Sequence, residues 1–215
     1  MRTMIFQSDH SIDIPPIDIL SFLFNETPFH EDDPIWLCPN DPSLFINLSQ
    51  TRLLTGRIGY GLRSLGVGTN TSTEDIVLTF VENQVMVAPT MFGVICAGAI
   101  HSTCPVTATV FELCRQIQLS SPKILICSTI TRAIAEEAIR NSGIDIILLV
   151  MRSGGGACDV FDQTGKSIMC SRTLEWRRIT SQEILERETA CLVFSSGTTG
   201  IPKGTQAQLL HARLS

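Results

Sequence analysis

Residues 192–204, LVFSSGTTGIPKG, decide how this chain is read. Leu192, Val193 and Phe194 predict the end of a buried strand. A turn of small hydroxyl residues and glycines follows: Ser195, Ser196, Gly197, Thr198, Thr199 and Gly200, closed by Pro202, Lys203 and Gly204. Holding a polyphosphate takes several hydrogen-bond donors in a small space, a backbone that can come close, and a cation. Glycines allow the close approach. Successive backbone N–H groups form an anion-binding concavity, and hydroxyls add rotatable donors. Lys203 brings a compact positive charge, and Pro202 stiffens the exit from the turn. In a Walker A loop the lysine directly follows a glycine; here Lys203 follows Pro202, and the G-x-G-x-x-G spacing is absent too. The segment predicts a phosphate-binding loop of another kind. A ligand-free surface turn is the plain alternative.

Upstream of that loop, apolar runs and helical periodicities alternate. Strands are predicted at 76–80, 123–127 (KILIC), 144–150 (IDIILLV) and 190–194. Between them lie helices at about 83–97, with Pro89 near the start or kinking it, at 110–119 and at 131–141, and a short charged helix at 179–188. Thr109 with Glu112 three residues on predicts a capping box, and Gly143 ends the third of these helices. A longer helix at 51–65 places Leu54, Ile58, Leu62 and Leu65 on one face and stops at Gly66. Residues 152–166, with the run Gly154-Gly155-Gly156 and a turn at 162–165, read as a flexible surface connection. Apolar strands without alternation, separated by helices, predict an α/β fold: a parallel sheet with helices on both faces.

Composition narrows the function classes. The chain has 215 residues, 44% hydrophobic and 17% charged, which places it among globular proteins with a sizeable core. The net charge of −5 is uneven, because eight acidic residues face Arg2 alone in residues 1–50. That region also holds six of the ten prolines, so it is expected to be an irregular acidic segment packing on the main body at 51–215, with residues 17–24 (IDILSFLF) as its docking point. No basic stripe occurs, so nucleic acid is not the expected partner. The eight cysteines show no C-x-x-C spacing, and the four histidines are scattered. With no signal-peptide pattern, the cysteines are expected to be reduced, small apolar residues of an intracellular protein, and no metal site is expected. The uncharged stretch between Glu82 and Glu112 contains Pro89, Gly93 and Gly98. Its apolar part is shorter than the roughly 20 residues of a span, so a buried helix is expected and no transmembrane segment.

From Leu192 through the Ser/Thr/Gly block to Pro202-Lys203, the motif resembles the AMP-binding signature of the adenylate-forming enzymes. These include acyl- and aryl-CoA synthetases, and the chain is most similar to the 4-coumarate-CoA-ligase-like group. GLRSLGVG (61–68) with Asp75, FGVICAGAI (92–100), and Cys104-Pro105 followed by Glu112-Leu113 resemble further stretches of that family, so the likeness covers about 50–204. The resemblance implies the N-terminal domain of the adenylate-forming fold. It implies ATP-dependent activation of a carboxylic acid to an acyl-adenylate, release of pyrophosphate, and transfer of the acyl group to CoA, with Mg2+ assisting. Ser195, Ser196, Gly197, Thr198, Thr199, Gly200, Lys203 and Gly204 would contact the ATP phosphates; no catalytic residue is matched.

After Gly204 the chain departs from the family pattern, reading TQAQLLHARLS with His211 out of place. The family's adenine, ribose and Mg2+ contacts, its acyl pocket and its C-terminal domain would lie beyond residue 215. The chain is therefore expected to be an incomplete fragment that binds ATP weakly, is inactive alone, and has an exposed sheet edge that makes it poorly stable. The alternatives are a non-catalytic nucleotide-binding or interaction fragment and an unrelated parallel α/β protein with a chance turn. An intracellular setting is implied, cytoplasmic or peroxisomal; the acid substrate is not legible.

Overall fold

A computed structural model describes residues 15–25, 27–69, 74–154, 157–195 and 203–208. After a helix at Ile19–Asn25 (α1), the strands Pro34–Cys38 (β1) and Asp41–Asn47 (β2) pair antiparallel. This hairpin corrects the expectation of an irregular stretch over residues 1–50. Pro34 opens its strand and Pro42 sits near the start of the other in a two-stranded ribbon, where a missing N–H is tolerated. Leu20 and Phe24 of α1 are buried, and the Phe24 ring lies 5.3 Å from the Trp176 ring.

The main body follows as Leu48–Ser64 (α2), Ile76–Phe80 (β3), Val87–Cys96 (α3), Ile100–Thr103 (β4), Val110–Ser120 (α4), Ile124–Ser128 (β5), Arg132–Ser142 (α5) and Ile147–Gly154 (β6). Ala157–Phe161 (β7), Gln182–Arg187 (α6), Thr189–Ser195 (β8) and Lys203–Gln208 (β9) complete it. Asn47 and Gln50 form a capping box that starts α2 three residues before the apolar periodicity does. The box predicted at Thr109 and Glu112 is present on α4. Pro89 lies in the first turn of α3, where its missing N–H costs no helical bond. Gly66 and Gly143 take left-handed backbone at helix ends, as expected.

Seven strands form one sheet in the order β7-β6-β5-β3-β4-β8-β9. The five central strands are parallel, as the unbroken apolar runs predicted. The two outer strands are antiparallel. Within β3, β5 and β6, alternate residues enter opposite layers. Val77, Ile124, Ile126 and Leu149 meet Ile58 and Leu62 of α2 and Val94 of α3. Leu78, Phe80, Leu125, Leu148 and Val150 meet Leu113 and Ile117 of α4 and Ala135 and Ala138 of α5. Helices thus cover both faces, which is why the strands show no polar alternation.

Three differences from the sequence reading stand out. The supposed loop at 152–166 contains β7, which pairs residue for residue with β6 from Val150↔Phe161 to Gly154↔Ala157. Of the expected flexible connection, the turn at Asp162 remains: its carboxylate accepts from the N–H groups of Thr164 and Lys166. Strand β6 begins three residues later than IDIILLV suggests. Helix α6 is confined to Gln182–Arg187, and Ile179 before it is pinned by its N–H donating to Asp18.

All eight cysteines are unpaired. Cys96, Cys104 and Cys127 are buried, and burial pushes their thiols up to about 12. Cys170 is exposed. No described helix is long and apolar enough to cross a membrane.

Candidate functional site

Strand β8 ends at Ser195, at the carboxyl edge of the parallel strands, where open α/β sheets hold their ligands. Strand β9 returns from Lys203 in antiparallel register, with Ser195↔Lys203, Phe194↔Gly204 and Val193↔Thr205 opposed. The first and last cationic or hydroxyl positions of the predicted phosphate loop, Ser195 and Lys203, are therefore backbone neighbours across one rung. Gly204 is exposed on β9, and its backbone is extended. A Cβ there would make ordinary contact with Leu192 and Phe194 at 3.4 Å, so the strand itself does not demand glycine. Ser196, Gly197, Thr198, Thr199 and Gly200 lie outside the described residues, as does His211. Lys203 is the only charged residue of β8 and β9.

Sequence reasoning missed the polar residues behind this hairpin. The Ser102 hydroxyl on β4 donates to the Leu192 carbonyl on β8 at 2.9 Å. The Gln116 amide on α4 donates to Ser102 Oγ at 3.4 Å and to the Thr103 carbonyl at 3.0 Å. One strand further in, the Thr79 hydroxyl donates to the Ser102 carbonyl at 3.2 Å. His101 Nε2 lies 3.0 Å from Thr79 Oγ1. With the Thr79 proton committed to Ser102, His101 Nε2–H is the donor in that contact. Burial pushes the His101 imidazole down to about 4, so it is neutral near pH 7. The only signal in the sequence was the polar run His101-Ser102-Thr103, which follows Ile100 in a strand of four residues.

At the carboxyl ends of β3 and β5, Thr131 Oγ1 donates to the Phe80 carbonyl at 2.6 Å and accepts from the Ser128 N–H at 2.9 Å. The edge that presents the hairpin is thereby closed by hydrogen bonds between neighbouring strand ends. Such an edge can hold a ligand against fixed strand ends; the charge available on its outer hairpin is a single lysine.

A family model described as AMP-binding enzyme matches residues 45–212. The chain belongs to the AMP-binding enzyme family. It is 30% identical, over 98% of its length, to a protein of Emericella nidulans named for acyl-coenzyme A synthetase activity, and covers 39% of that protein. It is 28% identical over 74% of its length to 4-coumarate–CoA ligase-like 1 of Arabidopsis thaliana, covering 27% of it. Among solved structures, ATP-bound MatB of Rhodopseudomonas palustris superposes with a TM-score of 0.62 at 19% identity, over 91% of this chain and 35% of that one. The chain therefore spans well under half the length of the relatives it matches, and the fold is that of the N-terminal domain of the adenylate-forming enzymes.

Proposed function

We propose that this chain supplies the triphosphate-gripping part of an acid–CoA ligase, in which ATP converts a carboxylic acid to an acyl-adenylate and CoA then takes the acyl group. The observation that supports the reading is the rung between Ser195 and Lys203, which brings the two strand ends that flank the motif together at the carboxyl edge of the parallel strands. Family membership supports the same reaction. Ser195, Ser196, Gly197, Thr198, Thr199, Gly200 and Gly204 would donate backbone and hydroxyl hydrogens to the β- and γ-phosphates, and Lys203 would neutralise their charge. Adenylyl transfer is chiefly a matter of positioning and charge stabilisation, so these groups orient ATP rather than bond to the acid. Mg2+ would share the phosphate charge. The setting would be intracellular, cytoplasmic or peroxisomal, where ATP and CoA are available.

The 4-coumarate-like group is the proposed subfamily, and residues 51–215 the proposed share of its N-terminal domain. No residue here outside the loop matches an adenine, ribose or metal contact, so the 215 residues alone would bind ATP weakly and release little acyl-CoA. ATP–pyrophosphate exchange with a panel of carboxylic acids tests the proposal, alongside MgATP binding by calorimetry. Lys203→Ala is expected to weaken MgATP binding by about tenfold or more, roughly the 1.4 kcal/mol that a tenfold change represents, with thermal stability unchanged. Binding without exchange would favour a non-catalytic nucleotide-binding fragment. Absence of any ATP effect, including on proteolysis near residue 200, would overturn the reading.

A further inference from the structure

Within the sheet, the β8–β9 hairpin is joined to the parallel centre along one seam. Among the described residues strand β9 pairs only with β8, and β8 pairs on its inner side with β4, which is four residues long. Three register pairs make the seam: His101↔Cys191, Ser102↔Leu192 and Thr103↔Val193. An ordinary parallel seam is held by backbone hydrogen bonds alone. Here the Ser102 hydroxyl adds a rung to the Leu192 carbonyl, three positions before Ser195. Gln116 donates to Ser102 Oγ, so the serine's own proton is left to point at β8. Ser102 is fully buried and Gln116 is 7% exposed, so water does not compete for either.

We propose that Ser102, oriented by Gln116, is a positioning residue for the hairpin that carries the phosphate-loop motif. It locks β8 against β4, and so fixes Ser195 and Lys203 relative to the carboxyl edge of the sheet. The ligand consequence rests on the phosphate-binding reading above; the mechanical claim does not. A bland role is the alternative, in which the bonds only satisfy two buried polar side chains. That role would raise exchange uniformly when the hydroxyl is lost, whereas a lock loosens the hairpin alone.

Native-state amide hydrogen exchange on the full chain separates the two. In Ser102→Ala, exchange at 189–195 and 203–208 is expected to quicken about tenfold, with 76–80 and 124–128 changing less than about threefold. Ser102→Thr, which keeps the hydroxyl, is expected to restore the slow exchange. If Ser102→Ala fails to fold, Gln116→Met keeps similar volume, leaves the serine in place, and is expected to show the same pattern at smaller amplitude. Uniform acceleration, or none, would overturn the lock. MgATP calorimetry forms the second arm, with about a tenfold loss of affinity expected in Ser102→Ala. A wild-type chain that binds no ATP would sink the phosphate reading while the exchange result still decides the lock. A variant that exchanges faster in the hairpin but binds MgATP as tightly as wild type would overturn the positioning of the ligand site.

Discussion

The parallel centre and the β8–β9 hairpin belong to one sheet, yet opposite materials hold them. Val77, Leu78, Phe80, Ile124, Leu125, Ile126 and Cys127 in the centre are fully buried, with helices over both faces. On the hairpin, Val193 is 47% exposed, and Gly204, Thr205 and Gln206 are exposed as well. Strand β9, KGTQAQ, carries no large apolar residue, so apolar burial gives it little. The opposite antiparallel edge makes the point sharper, since β7 there buries Val160 and is closed by the Asp162 turn. Hydrophobic burial fixes the centre, while backbone pairing and a polar rung fix the β8–β9 hairpin. Segments with few buried apolar contacts belong to the low-stability end of a fold.

The largest expected effect starts at the corner between α2 and β3 and reaches both regions. Gly68 has φ +66°, and a Cβ there would lie 1.9 Å from the Ala97 carbonyl oxygen. Its N–H donates to Asp75 at 2.7 Å, and its carbonyl accepts from Arg63 at 2.8 Å. Asp75 also pairs with Lys123, which donates to the Gly66 carbonyl. The corner is thus bonded on both sides and has no room to shift. Left-handed strain alone costs roughly 1–2 kcal/mol for a residue with a Cβ, and the clash adds to it. Gly68→Ala is expected to remove about 3 kcal/mol or more, read from urea unfolding, with centre and hairpin losing exchange protection together. A loss under about 1 kcal/mol would contradict the tight corner.

The next effect sits on the border between the two regions, at His101. Its folded-state imidazole is pushed down to about 4 by burial, against an ordinary value of 6.5. Below pH 6.5 the unfolded chain takes up a proton that the folded chain refuses. Stability from this group is therefore complete above pH 6.5 and is lost progressively as pH falls towards about 4, by something on the order of 2–3 kcal/mol. His101→Gln is expected to flatten the pH dependence of the urea midpoint between 6.5 and 5. An unchanged slope would mean that the ring protonates in the folded state.

Much of this contrast was legible in advance, and the physics says which part. The run Ile124-Leu125-Ile126-Cys127 is readable because burial on both faces leaves it without a polar residue. The hairpin's motif is readable because hydroxyl residues, glycines and one lysine crowd into a few positions. Strand β7 was missed because Gly154-Gly155-Gly156 before it and Asp159 within it look like loop, whereas its pairing depends on β6. The first hairpin was hidden by its prolines, which only an edge tolerates. The Ser102–Leu192 rung joins residues 90 apart, so it exists only once β4 and β8 are known to be neighbours.

The smallest effect sharpens the comparison most, because α4 serves both regions. Leu113 and Ile117 on that helix pack into the centre, while Gln116 reaches the seam of the hairpin. Thr109 Oγ1 caps the helix by accepting from the Glu112 N–H, and the Glu112 carboxylate accepts from the Thr109 N–H at 2.8 Å. Those bonds from Thr109 hold the Glu112 carboxyl below its ordinary range. The stabilisation they bring is present above that ordinary value and disappears as pH falls through the lowered one. Thr109→Ala is expected to cost about 1 kcal/mol near neutrality, and the gap from wild type should narrow in acid. A lost cap frays the first turn only, and Gln116 sits in the second. Hairpin exchange should therefore stay at its wild-type rate in Thr109→Ala while it quickens in Gln116→Met. Equal loosening by both variants would mean that the hairpin follows the general stability of α4 rather than the one side chain that reaches the seam.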